Sequence, residues 1–443
     1  MIAGLHIAFN CFQNQKNAGR NLMKNILLAE DSNMFGRIAK RKIESVFNVP
    51  VFWAKSLAET ERLLEVGSGK FSMALLDFNL PDAPNGEVID RVVEEGISSF
   101  VFTSNMSDKV RNLVWSKKVA DYILKEDPNS LGYIVTAMQQ LADNHNSIIL
   151  VVDDSTTYRA MLSELLYIRQ YRVITATSGE AALDTLKKHP EIKLVITDYN
   201  MPGIDGASLC QKIREEKKAD RLAIIGASSE NDPTLGARFL KSGADDFLVK
   251  GKFLVEEFYS RVQRCLKQID LFGQIREIAI RDFLSGMHNR RYFFEAGAEL
   301  ITQYVQMGES LYCAIMDIDF FKRVNDTYGH NAGDIVIQSV GQMLQEFGGT
   351  RDIVARIGGE EFCFLGPIDS IDDGLERCDK LRQHIETTTI PVGKHPDESV
   401  NITISIGVCF ASDGHLDDLV KKADECLYRA KEKGRNRVEF VRQ

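Results

Sequence analysis

The sequence lacks an apolar run long enough to cross a membrane, and it lacks the excess of basic residues that nucleic-acid-binding proteins carry. Its 443 residues include 54 lysines and arginines against 63 aspartates and glutamates, a formal net charge of −9. Nonspecific DNA binding needs a clustered basic surface that displaces counterions from phosphates. We therefore expect no nucleic-acid partner and no insertion into a membrane.

The eight cysteines are never close enough in sequence to form a CxxC pair; they stand at positions 11, 210, 265, 313, 363, 378, 409 and 426. This spacing argues against the usual zinc motifs and against a disulfide framework, and it favours a reducing cytosol. The first residues, MIAGLHIAFNCF, have neither a charged front nor a clear cleavage site, which argues against a signal peptide. We predict a cytoplasmic protein in which residues 1–23 are a disordered extension.

An internal repeat organises the first 270 residues. The segment NILLAEDSNMFGRIAKRKIES at 25–45 matches SIILVVDDSTTYRAMLSELLY at 147–167 in pattern: an apolar strand, two acidic residues and an amphipathic helix. In the same way MALLDFNLPDAPNGE (73–87) parallels LVITDYNMPGIDGAS (194–208). Apolar strands that alternate with helical patterns predict two doubly wound parallel α/β domains, over 24–142 and 147–268.

Each repeat places five polar side chains at the carboxyl ends of its strands, where such sheets hold their binding sites. They are Glu30, Asp31, Asp77, Thr103 and Lys125 in the first copy, and Asp153, Asp154, Asp198, Ser228 and Lys250 in the second. Three converging carboxylates repel one another unless a divalent cation lies among them, and Mg²⁺ suits an all-oxygen site. A hydroxyl and an ammonium group beside them would hold an added phosphoryl group.

Both copies resemble the receiver domains of bacterial two-component response regulators. The resemblance implies that Asp77 and Asp198 accept a phosphoryl group from a sensor histidine kinase or a phosphotransfer protein, with Mg²⁺ at the acidic pairs. It also makes Tyr122 and Phe247 the switch aromatics. Neither lysine is followed by the family's usual proline, and the loop NLPDAPNGE is irregular. The alternative that one copy serves only as a dimerisation adaptor therefore stays open.

A helical pattern follows the second repeat, with apolar residues at positions 258, 262, 265, 269, 272, 275 and 279. It predicts that the last helix of the second receiver continues into a connector over 269–281. Gly273 is a candidate for a break or bend in this helix. The apolar stripe slightly favours pairing with a second chain over a solvated single helix.

Two acidic residues end a predicted buried strand in LYCAIMDIDFFKRVNDTYGHNAGD (311–334). Asp317 and Asp319 stand at i and i+2, so they share one face of the strand. Carboxylates at the end of a buried strand belong either to a capped edge or to a metal site. Lys322 in this run, and Lys431 and Arg435 in AKEKGR, offer positive charge for phosphate groups.

Asn325 and Asp334 carry groups that suit guanine. A carboxylate accepts from the N1–H and N2–H₂ groups of guanine, and an amide serves the remaining atoms of that edge. The following motif, RIGGEEF at 356–362, has the adjacent glycines of a hairpin turn between apolar segments. Taken alone, its glutamates fit either a solvated acidic face or the edge of a metal site.

Residues 282–443 closely resemble the GGDEF family of diguanylate cyclases. Five signatures carry the resemblance: DFLSGMHNRR, DIDFFKRVNDTYGHNAGD, ARIGGEEF, ITISIGV and ADECLYRAKEKGRNRV. It implies a palm-like α+β domain that joins two GTP molecules into cyclic di-GMP and releases two pyrophosphates. Because each domain holds one GTP, it also implies a homodimer.

The same resemblance implies roles for individual residues. Asp317, Glu360 and the Ile318 carbonyl would hold Mg²⁺ or Mn²⁺, and Glu360 or Glu361 would help to deprotonate the attacking 3′-hydroxyl. The expected substrate-binding residues are Asn325 and Asp334 for guanine, Lys322, Lys431 and Arg435 for the triphosphate, and the aromatic pair Phe320 and Phe321.

One position departs from the family pattern. The family's product-inhibition site often reads RxxD, and the corresponding stretch here is GTRD at 349–352, with Gly349 in place of the arginine. Without a bidentate guanidinium, we predict weak or absent product inhibition through this site. Two alternatives to a phosphorylation-regulated cyclase remain: an interaction protein whose GGDEF domain binds nucleotide without turnover, and a cyclase that makes a mixed purine product.

Overall fold

The computed structural model describes residues 24–442 apart from 68, 105–106, 126–129, 217–218, 230–232, 252, 350, 394–397 and 412–414. The predicted extension over 1–23 lies outside the described residues. The chain divides into two compact units, Met1–Gly273 and Gln274–Gln443. The first unit contains two α/β domains, and the second contains a mixed sheet with its helices.

The first α/β domain alternates strands and helices. Its strands are β1 (Asn25–Ala29), β2 (Val51–Ala54), β3 (Phe71–Asp77), β4 (Ser98–Thr103) and β5 (Asp121–Leu124). Its helices are α1 (Asn33–Phe47), α2 (Leu57–Val66), α3 (Glu87–Glu94), α4 (Asp108–Ser116) and α5 (Ser130–Asn144). The sheet order is β2-β1-β3-β4-β5, and every pair is parallel. Helices cover both faces, which is why the central strands are almost entirely apolar.

The second α/β domain repeats this arrangement. Its strands are β6 (Ile148–Val152), β7 (Arg172–Ala176), β8 (Ile192–Asp198), β9 (Ala223–Ser228) and β10 (Asp246–Val249). Its helices are α6 (Thr156–Ile168), α7 (Gly179–Lys188), α8 (Gly206–Glu216), α9 (Pro233–Lys241) and α10 (Val255–Ile280). The parallel order β7-β6-β8-β9-β10 matches that of the first domain. The predicted pair of doubly wound sheets is confirmed.

Matching serines begin the first helix of each α/β domain. The Ser32 hydroxyl accepts a hydrogen bond from the Phe35 amide, and the Ser155 hydroxyl accepts one from Tyr158. Such N-caps satisfy amides that have no partner inside the helix. The last helix of the second domain, α10, runs unbroken through Gly273 to Ile280.

Side chains of the two α/β domains meet inside the first unit. Tyr122 and Trp115 of the first domain both donate to Glu256 Oε1 on α10, at 2.7 and 2.8 Å. Asp121 on β5 forms an ion pair with Arg169, which follows α6, at 3.1 Å. Receiver-like domains that share such polar contacts form one packed unit rather than two independent modules.

The second unit is built on a six-stranded mixed sheet. Its strands are β11 (His288–Asn289), β12 (Ser310–Ile318), β13 (Ile353–Gly358), β14 (Glu361–Ile368), β17 (Ile404–Ala411) and β18 (Val438–Arg442), in the order β11-β13-β14-β12-β17-β18. A separate pair joins β15 (Thr389–Pro391) and β16 (Ser399–Asn401). The helices are α11 (Arg290–Met307), α12 (Phe321–Tyr328), α13 (His330–Phe347), α14 (Ile371–Thr387) and α15 (Leu416–Glu432). The predicted α+β architecture is confirmed.

The central strand β12 divides the hydrophobic interior of this unit. Tyr312, Ala314 and Met316 belong to one core cluster, whereas Leu311 and Cys313 belong to the cluster on the other face. This alternation follows from the two-residue period of a strand. Because both faces are filled mainly by apolar side chains, the charged side chain of β12, Asp317, stands near its carboxyl end.

Candidate active site

The first receiver brings its predicted site residues together at the carboxyl ends of its strands. Lys125 Nζ lies 2.9 Å from Glu30 Oε2 and 2.5 Å from Asp77 Oδ2. Oxygens of Glu30, Asp31 and Asp77 all lie within 4.8 Å of one another, a spacing and donor type that fit Mg²⁺. The Lys125 amide donates to the carbonyl of Thr103, so the hydroxyl-bearing residue is next to the lysine.

The second receiver forms the same crevice with a more buried lysine. Lys250 Nζ lies 2.5 Å from Asp153 Oδ2 and 2.8 Å from Asp198 Oδ1, and its amide donates to the carbonyl of Ser228. Oxygens of Asp153, Asp154 and Asp198 again lie within 4.8 Å of one another. The structure thus brings together the four charged residues predicted for each crevice, and the backbone joins Thr103 and Ser228 to the two lysines.

Burial determines the electrostatics of both crevices. It raises the pKa of Glu30 and of Asp198, although the neighbouring lysine acts in the opposite direction in each case. Burial alone would lower the pKa of Lys125, but hydrogen bonds to Asp77 and Glu30 raise it above its usual value. Each ammonium group thus compensates carboxylates that repel one another, which is also what a bound divalent cation would do.

The two predicted switch aromatics have different surroundings. Tyr122 donates its hydroxyl hydrogen bond to Glu256 of the second receiver, as described above. Phe247 instead packs against Phe239 of its own domain, with ring centroids 5.7 Å apart. Tyr122 of the first α/β domain therefore contacts the second domain, whereas Phe247 contacts a residue of its own domain.

The candidate catalytic site lies where β12 ends beside the β13–β14 hairpin. Asp317 pairs directly with Glu361 across the antiparallel strands β12 and β14. The Ile318 amide donates to the Glu360 carbonyl at 3.4 Å, and Lys431 Nζ on α15 lies 2.7 Å from Asp317 Oδ2. The hairpin, the central strand and the last helix thus bring three carboxylates and one ammonium group together.

Excess negative charge at this site is only partly neutralised. Burial raises the pKa of Asp317; Lys431 opposes the shift, while Glu360 adds to it. Burial and the charge of Asp317 likewise raise the pKa of Glu361. The carboxylates of Asp317 and Glu360 and the carbonyl of Ile318 are oxygen ligands of the kind that Mg²⁺ or Mn²⁺ prefers.

The double glycine leaves the hairpin corner open. Gly359 has φ +50°, and no atom lies within 4 Å of the position that a Cβ would take at Gly358 or Gly359. Arg356 stabilises the corner, because its Nε and Nη2 donate to the Gly359 carbonyl at 2.9 and 2.7 Å. Its Nη1 donates to Asp282 at 2.9 Å. Arg356 and Asp282 therefore belong to the residues that shape this site, although no sequence motif indicated a role for either.

The predicted guanine-binding residues stand on consecutive helices. Asn325 is half-buried on α12, and Asp334 is exposed on α13. A Cβ at Gly333 would lie 2.0 Å from Asn325 Oδ1, so a larger residue there would displace this amide. Lys322, predicted to contact the triphosphate, is exposed on the first turn of α12.

The aromatic pair after the acidic run separates. Phe320 is 62% exposed, and the Arg435 guanidinium lies 4.6 Å from its ring centroid. Phe321 is buried in the core cluster that includes Met316 and Val336. Phe321 can therefore contact a substrate only through its backbone. The Phe320 ring and the Arg435 guanidinium instead form an exposed pair on the protein surface.

Asp319 follows the last residue of β12 and continues its antiparallel pairing, because its amide donates to the Thr403 carbonyl at 2.9 Å. Ser405, which pairs with Asp317 across the strands, donates to the Asp319 carboxylate, so the two aspartates share one face as expected. The Asp319 carboxylate also accepts from Thr403 and the Asn436 amide. Asp319 is the capped alternative, and Asp317 alone of this pair faces the hairpin glutamates.

The position of the product-inhibition motif contains an internal ion pair. Asp352 accepts from the Gly349 amide at 2.7 Å and pairs with Arg377 on α14. The neighbouring Arg351 instead contacts Glu309 at 3.2 Å. Arg351 and Asp352 therefore have different partners although they are adjacent in sequence.

No helix in the described part of the chain is both long and apolar enough to cross a membrane.

Family comparisons match two segments of the chain. The model described as "Diguanylate cyclase, GGDEF domain" matches residues 279–437, and "Response regulator receiver domain" matches residues 149–263. "Response regulator PleD" of Caulobacter vibrioides is 29% identical over 367 residues, which is 79% of this chain and 79% of that protein. "Diguanylate cyclase VdcA" of Vibrio cholerae is 30% identical over 274 residues, 60% of this chain and 79% of that protein.

A solved structure agrees with these relatives. The crystal structure of a two-component system response regulator/GGDEF domain protein is 35% identical to this chain, with a TM-score of 0.50. The similarity covers 56% of this chain and 99% of that one.

Proposed function

The chain belongs to the GGDEF family of diguanylate cyclases and is a response regulator with a GGDEF output domain; from that premise, we propose that it condenses two GTP molecules into cyclic di-GMP and releases two pyrophosphates. The observation that carries the proposal is the convergence of Asp317, Glu360 and Glu361 beside Lys431, at a hairpin corner open enough for a nucleotide.

Metal ions would be held by Asp317, Glu360 and the Ile318 carbonyl. When bound, Mg²⁺ or Mn²⁺ supplies charge stabilisation at the α-phosphate and the leaving pyrophosphate, and it makes a 3′-hydroxyl easier to deprotonate. Glu361 lies opposite Asp317, and burial together with the charge of Asp317 raises its pKa, so it is a stronger base than an ordinary glutamate. Lys431 and Lys322 contribute positive charge for the triphosphate.

Specificity for guanine is assigned to Asn325 and Asp334. An exposed carboxylate at Asp334 accepts from the N1–H and N2–H₂ groups that adenine lacks in that pattern. The mixed-product alternative requires one of two paired sites to accept adenine, and this residue pair disfavours it.

The reaction requires two catalytic domains that face each other, because each binds one GTP. We propose a homodimer in which the distance between the two sites controls the rate, since positioning of two reactants removes much of the entropic barrier. The receivers would control this distance after phosphorylation of Asp77 or Asp198 by a sensor histidine kinase or a phosphotransfer protein. Both crevices contain the full set of groups, so both aspartates are proposed as acceptors.

The compartment that fits this activity is the cytoplasm. All seven cysteines in the described part of the chain are free and buried. Free thiols are the usual state in a reducing compartment.

One experiment tests the proposed function. Purified full-length protein is incubated with Mg²⁺ and GTP, or with GTP plus ATP, with and without beryllofluoride as a phosphoryl mimic, and products are identified by mass. We expect cyclic di-GMP, formed faster with the mimic, and none from the Asp317→Asn variant. The exposed Asp326→Asn variant is the matched control and should keep full activity. Nucleotide binding without any cyclic dinucleotide would favour the inactive interaction protein instead.

A further inference from the structure

Asp319 is a buried carboxylate that the proposed chemistry does not use. It is 4% exposed and follows β12 directly. Its two oxygens accept from Thr403 Oγ1 at 2.6 Å, Ser405 Oγ at 2.7 Å and the Asn436 amide at 3.1 Å. Its own amide donates to the Thr403 carbonyl at 2.9 Å. Both oxygens of this carboxylate therefore bind groups of the protein itself.

The third of these bonds reaches an unusual turn after α15. Gly434, Arg435 and Asn436 have φ values of +112°, +65° and +46°. The left-handed region is unfavourable for residues with a Cβ, so this turn persists only where its surroundings hold it. Asp319 stabilises the turn by accepting a hydrogen bond from the Asn436 amide, and the Asn436 side chain donates to Glu386 at 2.8 Å.

The turn determines the position of Arg435. Its guanidinium lies over the ring of Phe320, the residue that follows Asp319 and that also has a positive φ, +56°. Asp319 is therefore bonded to the neighbour of Arg435 and is itself the neighbour of Phe320. Both partners of this exposed cation–π contact are fixed through one buried carboxylate.

We propose that Asp319 is a positioning residue for the triphosphate end of GTP. This rests on the proposed function, in which Arg435 contacts the phosphates. The Asp319 carboxylate holds the turn over residues 434–436 against the end of β12 and so presents the Arg435 guanidinium beside Phe320. The carboxylate accepts from three donors at once, one on Oδ1 and two on Oδ2. An asparagine at this position keeps only one accepting oxygen, so at least one of the three hydrogen bonds is lost or must reverse its direction.

The test compares ligands that have and lack the triphosphate. Binding of 3′-deoxy-GTP, which cannot react because it has no 3′-hydroxyl, and of GMP is measured at equilibrium with Mg²⁺ in the full chain. For Asp319→Asn we expect about tenfold weaker binding of 3′-deoxy-GTP and GMP binding within about twofold of the parent. The KM for GTP should rise by a similar factor while kcat changes much less. Asp326→Asn, on the exposed face of α12, is the control and should change neither ligand.

A double-mutant cycle separates positioning from general destabilisation. If Asp319 acts through Arg435, Asp319→Asn should have no further effect on 3′-deoxy-GTP binding in an Arg435→Ala background. Should Asp319→Asn fail to fold, Ser405→Ala removes one of the three donors and should weaken 3′-deoxy-GTP binding to a smaller extent, again only when Arg435 is present. Equal losses for GMP and 3′-deoxy-GTP, or additive losses in the cycle, would overturn the proposal.

These measurements do not depend on turnover. A protein that binds 3′-deoxy-GTP but makes no cyclic dinucleotide would refute the proposed function and leave the positioning role testable. Normal cyclic di-GMP synthesis with unchanged 3′-deoxy-GTP binding in Asp319→Asn would refute the positioning role alone.

Discussion

Arg169 of the second receiver forms an ion pair with Asp121 of the first, with 3.1 Å between Nη2 and Oδ2 and both side chains almost completely buried. The Arg169 guanidinium also lies 4.3 Å from the ring centroid of Tyr259. Asp246 occupies the repeat position of Asp121 in the second receiver, but it pairs with Arg261 and Arg264 of its own α10. The first receiver therefore depends on its neighbour for a charge that the second supplies itself.

This asymmetry predicts that the two receivers are not independently stable. Arg169→Ala leaves Asp121 buried without its cation, and removal of one partner of a buried pair typically costs about 3–5 kcal/mol. Arg264→Ala is the matched control, because Asp246 retains Arg261 and an exposed partner contributes only about 0–1 kcal/mol. Urea unfolding followed by tryptophan fluorescence measures the difference. Both tryptophans, Trp53 and Trp115, lie in the first receiver. Equal shifts in the two variants would contradict the prediction.

The fold could be predicted because local pattern and tertiary structure agree. Apolar strands followed by acidic residues recur in both receivers, and the same periodicity produced matching sheets in the order expected of a doubly wound domain. Residues such as Asp77 and Asp198 were placed correctly because the carboxyl ends of parallel strands meet at one edge.

The sequence could not reveal contacts that depend on chain segments far apart. The motif places Asp319 two residues after Asp317, but it does not show that Thr403 and Ser405, more than 80 residues away, bind the Asp319 carboxylate. Arg169 gives no local signal either, since its partner Asp121 belongs to another domain. Phe321 is buried although Phe320 is exposed, because the helix that begins at Phe321 turns only one of the two rings inward.

Arg356 should control the hairpin corner rather than nucleotide affinity. It links the Gly359 carbonyl to Asp282, so Arg356→Ala releases the backbone that carries Glu360. A displacement of catalytic groups by about 1 Å can cost up to about 100-fold in rate, and we expect kcat to fall by at least about tenfold. Initial rates of pyrophosphate release give kcat, and 3′-deoxy-GTP binding should change little. Arg351→Ala, which removes an arginine outside the hairpin, should retain the parent rate; a similar loss in both variants would argue against the clamp.

The acidic site should reduce stability when no metal is bound. Because burial and Asp317 raise the pKa of Glu361, folding favours its protonated form. The stabilisation that protonated Glu361 contributes is complete below the pKa that Glu361 has in the unfolded chain. It is lost as the pH rises through the pKa that Glu361 has in the folded chain, so ionised Glu361 opposes folding at neutral pH. Glu361→Gln should raise the Tm of the catalytic unit in EDTA at pH 7, and the difference should shrink as the pH falls through the usual range of a glutamate.

Scanning calorimetry of the full chain measures this effect. The transition of the catalytic unit is identified as the one that 3′-deoxy-GTP with Mg²⁺ moves upward. The exposed Glu425→Gln on α15 is the control and should leave that transition unchanged at every pH. A Glu361→Gln variant with a lower Tm at pH 7 than the parent would show that the carboxylate stabilises the metal-free site.

Product inhibition should be weak, because the residues at the GTRD position bind one another. Gly349 provides no guanidinium, and Asp352 is already bonded to the Gly349 amide and to Arg377. A guanidinium that forms an ion pair with a carboxylate is not available for a ligand unless that pair is broken. We expect initial rates to be unaffected by added cyclic di-GMP at concentrations up to those of the substrate, and we expect Asp352→Ala to leave this insensitivity unchanged.

Gly349→Arg tests the reason directly, because a Cβ there would lie 3.3 Å from Asp352 Oδ2 and would bring a second arginine beside the same carboxylate. Inhibition that is present in the parent and lost in Asp352→Ala would show that this position binds product without the arginine.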